Sequence, residues 1–413
     1  MDFPIAAVRA QFPALSAKDD GRARVYFDAP GGTQVCAPAI ARMVEHLRTG
    51  TANAGGAFAS SVATDALSAA AHQAMADLLG AAPDEIAFGP NMTSLTLAVS
   101  RALSAEWEAG DEIVVTRLDH DANIAPWLLV ARDRGLSVRW LDVDPAGGTL
   151  DLAALPGLLG SRTRLVAVGH ASNALGTLND IAGIAATVRA RSPALIYVDA
   201  VQSVPHIAVD VEALGCDLLA CSPYKFFGPH QGVLWGRAEV LDGLAAYKVR
   251  PARSDRAARF ETGTPSFEGQ AGVLGTIEYL DRLGGALGAN PADDRPARLR
   301  TAMHGCAAYE AGLGTRLLDG LARIDGVTLH GPPTMAERVP TFAFTLAGHA
   351  PAAVAAHLAA HGIFAWSGDF YAPEIVARLG LASGGGLVRV GLCHYSTADE
   401  VDALLAALGD LAR

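Results

Sequence analysis

The segment "ALIYVDAVQSVPHIAVDVEALGCDLLACSPYKFFGPHQG", residues 194–232, holds two short apolar runs that end in the same way. "ALIYVDA" (194–200) closes on Asp199 with Gln202 three residues later, and "DLLACS" (217–222) closes on Ser222 with Lys225 three residues later. Short runs rich in β-branched and other apolar residues, bounded by turn formers, read as buried strands. Working outward, "DEIAFG" (84–89), "DEIVVT" (111–116), "SVRWLDV" (137–143) and "TRLVAVGH" (163–170) repeat the pattern. Alanine-rich stretches of helical period lie between most of them, as in "SLTLAVSRAL" (94–103) and "IAGIAATVRA" (181–190). This alternation, from about residue 70 to 240, predicts an α/β domain whose large, mostly parallel sheet is covered by helices. Such sheets place ligands beyond the carboxyl ends of their strands, where His170, Asp199 and Ser222 stand.

Further on, "LGGALGANPADDRPARLR" (283–300) is rich in Gly, Pro and charge and reads as a junction. Beyond it the pattern is α+β: a helix over about 301–324, strands "VTLHG" and "TFAFTLAG", a helix "PAAVAAHLAAHG", a strand "LVRVGL" and a last helix "TADEVDALLAALGDL". The expected organisation is an N-terminal segment 1–25, a large domain 26–284 and a smaller C-terminal domain 285–413. Tandem repeats are absent.

The chain has 413 residues, 51% hydrophobic and 18% charged, which is the composition of a packed globular protein. Its net charge of −11 argues against a nucleic-acid surface, so any anion site must be local. The five cysteines, Cys36, Cys216, Cys221, Cys306 and Cys393, are scattered without a CxxC pair. Neither a disulfide framework nor a metal site is expected, and the thiols read as reduced. No apolar run has the length of a membrane span and the first residues lack a signal-peptide core, so the expectation is a cytoplasmic protein with no membrane partner.

Asp199 and Lys225 set an acid and an amine at two strand ends. Buried alone, each would be driven toward its neutral form. A ligand that needs both reconciles them: pyridoxal phosphate takes a lysine for its aldehyde, an acid to keep its pyridine nitrogen protonated, and donors for its phosphate. Taken singly, Asp199 would serve equally as a turn acid and Lys225 as a solvated lysine; their spacing, with Gln202 and Ser222, favours the cofactor. "GPNMTSLTLAVS" (89–100) runs from a strand end into a helix and offers the N–H groups of Met92 and Thr93 to an anion, although an N-cap accounts for the pattern as well.

The segment 197–237 strongly resembles the lysine region of class V aminotransferases and cysteine desulfurase-like enzymes. The resemblance extends to "YFDAPGGTQ" (26–34), "GDEIVVTRLDHDANIAPW" (110–127), "HASNALGTLNDI" (170–181), "RFETGTPSFEGQ" (259–270) and "VRVGLCHYSTADEVDALL" (388–405). It implies the type I pyridoxal-phosphate fold and a homodimer with active sites at the interface. By that likeness Lys225 is the Schiff-base lysine and Asp199 the pyridinium acid. His120 stacks on the cofactor ring, and Asn173 and Gln202 bond its phenolic oxygen. Met92, Thr93 and Ser222 hold the phosphate, Tyr224 stands where many desulfurases have a phosphate-donating histidine, and Thr264 is donated to the neighbouring subunit's phosphate. Arg389 matches the arginine that holds a substrate carboxylate.

The sequence also departs from the family. The stretch matching the desulfurases' mobile, cysteine-bearing segment is "HGIFAWSGDFYAPE" (361–374), which has no cysteine; Tyr371 falls near the nucleophile and Trp366 at a second basic position. "NAGGAFASS" (53–61) is unlike the basic, histidine-bearing loop of standard desulfurases. A nucleophilic thiolate is needed for a persulfide, so the expected reaction on a small amino acid is β-elimination of the C–S lyase kind without a persulfide cysteine. A transaminase or an epimerase of the same family is the alternative. A non-catalytic relative kept for binding or assembly is the rival of another class, and the retained Lys225 and Asp199 speak against it.

Overall fold

A computed structural model of the protein describes residues 3–413, so the first two residues of the expected N-terminal segment lie outside the described residues. A seven-stranded sheet forms the centre of the larger part. Its order is Ile86–Gly89, Gly232–Gly236, Leu218–Cys221, Leu195–Asp199, Thr163–Gly169, Glu112–Thr116, Ser137–Leu141. All neighbouring pairs are parallel except those made by Gly232–Gly236, which runs against both of its partners. Leu195–Asp199 lies in the middle, and Val198, Ile196, Leu218 and Val166 are buried on its two faces. A strand covered on both faces has no polar alternation, which is why these segments read as continuous apolar runs.

Every strand anticipated in this sheet is present, with ends shifted by one or two residues. Asp84 and Glu85 fall in a 3₁₀ turn, Pro83–Glu85, ahead of Ile86. "SVRWLDV" divides at Asp142: Ser137–Leu141 joins the large sheet, and Val143–Asp144 pairs instead with Thr149–Leu150. The strand Gly232–Gly236 was not anticipated, because "GVLWG" is short, bounded by glycines and follows directly on the lysine turn. Helices Ala37–Thr49, Ala59–Leu79 and Phe267–Ala286 also lie outside the sequence expectation. The last is buried along most of its length and crosses the first two, so it lacks the polar face that would have marked a surface helix.

The glycine-rich junction holds the end of Phe267–Ala286, a turn, and the start of Arg295–Leu321, whose first turn is capped by Asp294 accepting from Ala297 N at 2.9 Å. Beyond it a four-stranded antiparallel sheet has the order Val327–His330, Thr341–Leu346, Leu387–Gly391, Trp366–Gly368. The helices Pro351–Ala360 and Ala398–Ala412 accompany it. Residues 25–28 join this smaller unit: Val25–Tyr26 pairs with Ile363–Phe364, Phe27 is buried among Phe342 and Phe344, and Asp28 bridges to Gly391. Among the described residues no helix is long and apolar enough to cross a membrane.

Candidate active site

Lys225 ends a one-turn 3₁₀ segment, Pro223–Lys225, immediately after the strand Leu218–Cys221. Its side chain is 8% exposed, and Nζ donates to the Pro30 carbonyl. The segment that supplies this carbonyl is stitched to the lysine turn. Thr33 N donates to Tyr224 O at 3.0 Å, Phe227 N donates to Thr33 Oγ1 at 2.8 Å, and Cys36 N donates to Phe227 O at 3.0 Å. Burial first, and then the Arg389 charge, lowers the Lys225 amine to about 7.

Asp199 ends the neighbouring parallel strand, and its Oδ1 accepts from Val201 N at 2.9 Å. Burial raises its carboxyl to about 7; Asp119 adds to the rise and Lys225 opposes it. Asp119 was not singled out from the sequence. It lies buried where Thr116 Oγ1 and Asn123 Nδ2 each donate to it at 2.7 Å, and burial raises it to about 6. The spacing Thr116, Asp119, Asn123 within "TRLDHDAN" is the signal that would have marked this network.

His120 caps the short helix Asp121–Asn123, with Nδ1 accepting from Ala122 N at 3.0 Å. Burial, then Lys225 and Arg389, holds it down to about 4, so the ring is neutral and carries its proton on Nε2. Asn173 donates Nδ2 to the Phe370 carbonyl at 2.8 Å, and Gln202 donates Nε2 to Thr341 Oγ1 at 3.1 Å. Each leaves its amide oxygen buried without a partner, and each NH2 group keeps a second hydrogen that can donate to a ligand oxygen.

Met92 and Thr93 open the helix Met92–Leu103, whose cap is Asn91 Oδ1 accepting from Ser94 N at 2.8 Å. The side-chain cap serves the third turn position and leaves the Met92 and Thr93 N–H groups at the helix end without intrahelical acceptors. Ser222 and Gly232 approach the same end: a Cβ on Gly232 would meet the Asn91 carbonyl carbon at 2.3 Å. The N-cap and two N–H groups without intrahelical acceptors therefore coexist at this terminus.

Arg389 comes from the small sheet, is buried, and donates Nη1 to the Asn173 carbonyl at 2.8 Å. Its Nε has no partner, its guanidinium carbon stands 4.2 Å from the centre of the Phe370 ring, and burial lowers it to about 9. Asp28, another residue the sequence reading passed over, faces Arg389 electrostatically with one buried oxygen unpartnered. Trp366 pairs with Arg389 across the strands and is 53% exposed at the cavity mouth, against Gly31, where a Cβ would meet its Nε1 at 2.7 Å. Phe370 and Tyr371 have φ of 58° and 57°, a strained pair for residues with side chains. Their turn is held by Asp121 N donating to Tyr371 O at 2.7 Å, and the Tyr371 ring stacks on His120 at 5.6 Å.

A cavity of about 750 Å³ runs from Lys225, His120, Asn173 and Arg389 out to Trp366 and Tyr371. A smaller one beneath it gathers Met92, Thr93, Asp199, Gln202, Ser222 and Tyr224. Of the site residues anticipated from the sequence, these two cavities bring together all but Thr264, which is exposed in a separate groove with Pro90 and His230. All five cysteines are free and buried. Among the described residues no cluster of His, Cys, Asp and Glu is arranged for a metal.

The donor set fits pyridoxal phosphate. It combines a buried amine, a buried acid on the next strand, a helix N-terminus for an anion, the second amide hydrogens of Asn173 and Gln202, and the Arg389 Nε that the protein alone leaves unsatisfied. A model of the family described as "Aminotransferase class-V" matches residues 25–293 and 297–404. A cysteine desulfurase of Serratia proteamaculans (strain 568) is 31% identical over 425 aligned residues, covering 99% of this chain and 98% of that protein. The aminotransferase-like protein FGM3 of Gibberella zeae is 33% identical, covering 98% of each. Among solved structures, the apo cysteine desulfurase from Thermococcus onnurineus NA1 superposes with a TM-score of 0.88 at 27% identity, over all of this chain and 98% of that one.

Proposed function

Since the chain belongs to the class V aminotransferase family of pyridoxal-phosphate enzymes with the type I fold, we propose that it catalyses β-elimination on an amino acid without a persulfide cysteine. When bound, pyridoxal phosphate supplies an electron sink for the carbanion left at the substrate Cα. Asp199, raised to about 7 by burial, would stand at the pyridine nitrogen and favour its protonated form. Lys225 would hold the cofactor aldehyde and, once free, would take the Cα proton. His120, a neutral imidazole, would pack on the ring, and Arg389 would hold the substrate carboxylate with the guanidinium edge that has no protein partner.

The observation carrying elimination over desulfuration is the state of the thiols. Each of the five is buried, Cys216, Cys221 and Cys393 are each pushed up by burial, and the stretch 361–374 has no cysteine. A thiol held protonated and out of contact with the cavity is a poor acceptor of substrate sulfur. We propose further a cytoplasmic homodimer in which Thr264 serves the neighbouring subunit's phosphate, in keeping with its exposed position outside its own cavity.

The test is product analysis on the yellow holoenzyme with L-cysteine and its S-substituted derivatives. Elimination yields pyruvate, ammonia and a thiol or sulfide, and single Cys→Ser changes at all five positions leave turnover largely intact. Alanine together with a persulfide trapped on one cysteine would return the protein to desulfuration. A keto acid that retains the substrate's side chain, formed with loss of the amine to the cofactor, would assign it to transamination, the activity suggested by the name of its relative FGM3.

A further inference from the structure

Asp119 lines the lower cavity together with Asp199 and Lys225, and it is 3% exposed, so its surroundings are supplied by a single chain. It follows the strand Glu112–Thr116 by three residues, and its Oδ1 lies over the end of the next strand, where a Cβ on Gly169 would meet it at 3.0 Å. Gly169 in turn pairs in register with Asp199. Adjacent strands lie about 4.8 Å apart, so the two carboxylates flank one strand end that has no side chain to separate them. That end is fixed by Asn179 Nδ2 donating to Gly169 O at 2.7 Å and by His170 N donating to Asp199 O at 2.8 Å.

The two acids are held differently. Asp119 accepts from Thr116 Oγ1 on one oxygen and from Asn123 Nδ2 on the other, each at 2.7 Å, whereas the Asp199 carboxylate accepts from Val201 N on Oδ1. Donors of this kind favour the ionised form. Burial raises Asp119 to about 6 against those bonds, so it is an anion at neutral pH. Asp199, raised to about 7 by burial and then by that anion, is the member of the pair that holds a proton. The other titratable groups around the pair add no further anion. Tyr197, Tyr224 and Cys221 are raised by burial, His120 and His170 are lowered by it to about 4 and are neutral, and the cation acting on Asp199 is Lys225.

We infer that Asp119 is a positioning residue for the cofactor's pyridine nitrogen, acting through Asp199: a fixed anion one strand away that keeps the proton in the bond between Asp199 and that nitrogen. In the apoprotein the proton resides on the Asp199 carboxyl. When the cofactor binds, the proton passes to the ring nitrogen, no electron changes hands, and the charge on Asp119 opposes its loss to solvent. The role is the same for elimination, transamination or desulfuration, because each draws electrons from Cα into a protonated ring. A turn acid that only tied "TRLDHDAN" together would need hydrogen-bonding atoms but no charge.

The experiment reconstitutes the apoprotein with pyridoxal phosphate isotopically labelled at its ring nitrogen and follows the chemical shift of that atom through a pH titration, which reads the proton and not turnover. Asp119→Asn keeps the shape and removes the charge. The pH at which the ring nitrogen loses its proton is expected to fall by about 0.5–1 unit, roughly three- to ten-fold in proton affinity. Thr116→Val removes one of the bonds that keep Asp119 ionised and is expected to move the midpoint the same way by less. Melting temperatures are read alongside. Variants that melt earlier but titrate like the native protein leave Asp119 a turn acid and overturn the inference, as does a ring nitrogen that keeps its proton, or lacks it, equally in all three proteins. If Asp119→Asn does not fold, Thr116→Val decides alone, and an unmoved midpoint overturns the role.

Discussion

Asp199 and Lys225 sit at the carboxyl ends of adjacent parallel strands, and burial brings the acid up and the amine down to the same value, about 7. Burial thus works against a full charge on either group before the cofactor arrives.

The first expectation follows for the apoprotein. Lys225 titrates at about 7 in place of 10.5, so its reactive free amine predominates above neutrality. The rate at which apoprotein captures pyridoxal phosphate, read from the growth of the visible band, rises through about pH 7 and levels off above it. A rate still climbing at the pH of an ordinary lysine would show that the amine is not depressed. Lys225→Ala retains some bound cofactor but lacks the covalent band.

Arg389→Ala tests the carboxylate site. Loss of one partner of a buried charge-assisted pair costs about 2–5 kcal/mol, which is a rise in KM of some tens to thousands of fold. The visible band of the resting enzyme stays in place, because Arg389 bonds the Asn173 carbonyl and not Lys225. Unaltered kinetics would move the carboxylate site elsewhere in the cavity.

Gly232→Ala addresses the phosphate end. The added methyl would lie 2.3 Å from the Asn91 carbonyl carbon, which is backbone and can yield only by moving the start of the helix Met92–Leu103. Overpacking of this kind costs about 1–3 kcal/mol. Both a lower melting temperature and weaker cofactor retention on dialysis are expected, and a change in the first without the second would separate packing from phosphate binding.

His394 governs part of the acid limb of stability. It is fully buried, bonds Tyr279 Oη through Nε2 at 2.7 Å, and is lowered to about 3 by burial and then by His206. Its folded value lies below the ordinary 6.5, so its contribution is complete above 6.5 and is lost as the pH falls toward 3. Denaturant titrations between those limits are steeper in pH for the native protein than for His394→Asn. Equal slopes would place the acid sensitivity on other groups.

The large sheet was readable because strands buried on both faces are apolar throughout, and Asp199 and Lys225 stood out because the pairs Asp199–Gln202 and Ser222–Lys225 follow two such runs at the same interval. Gly232–Gly236 escaped for the opposite reason: five residues between glycines carry little strand signal until two neighbours claim their hydrogen bonds. Asp119, buried on a network within "TRLDHDAN", and Asp28, beside Arg389, needed the fold to show what surrounds them. Tyr371 and Trp366 were placed near the substrate by likeness, yet nothing local announced that Phe370 would cover the arginine or that two side-chain-bearing residues would share the left-handed region. The turn that carries both is held by Asn173 through the Phe370 carbonyl, 197 positions away in sequence.

The N-terminal strand has a mechanical meaning. Phe27 is anchored in the small sheet, and Pro30, three residues later, gives its carbonyl to Lys225, so at most about 11 Å of extended chain joins them. The chain between them is wound into a 3₁₀ turn, Ala29–Gly31, closed by Gly31 N donating to Asp28 O at 2.7 Å and Gly32 N donating to Ala29 O at 2.9 Å. The small sheet and the hydrogen-bond acceptor of the lysine are thus joined through three peptide units.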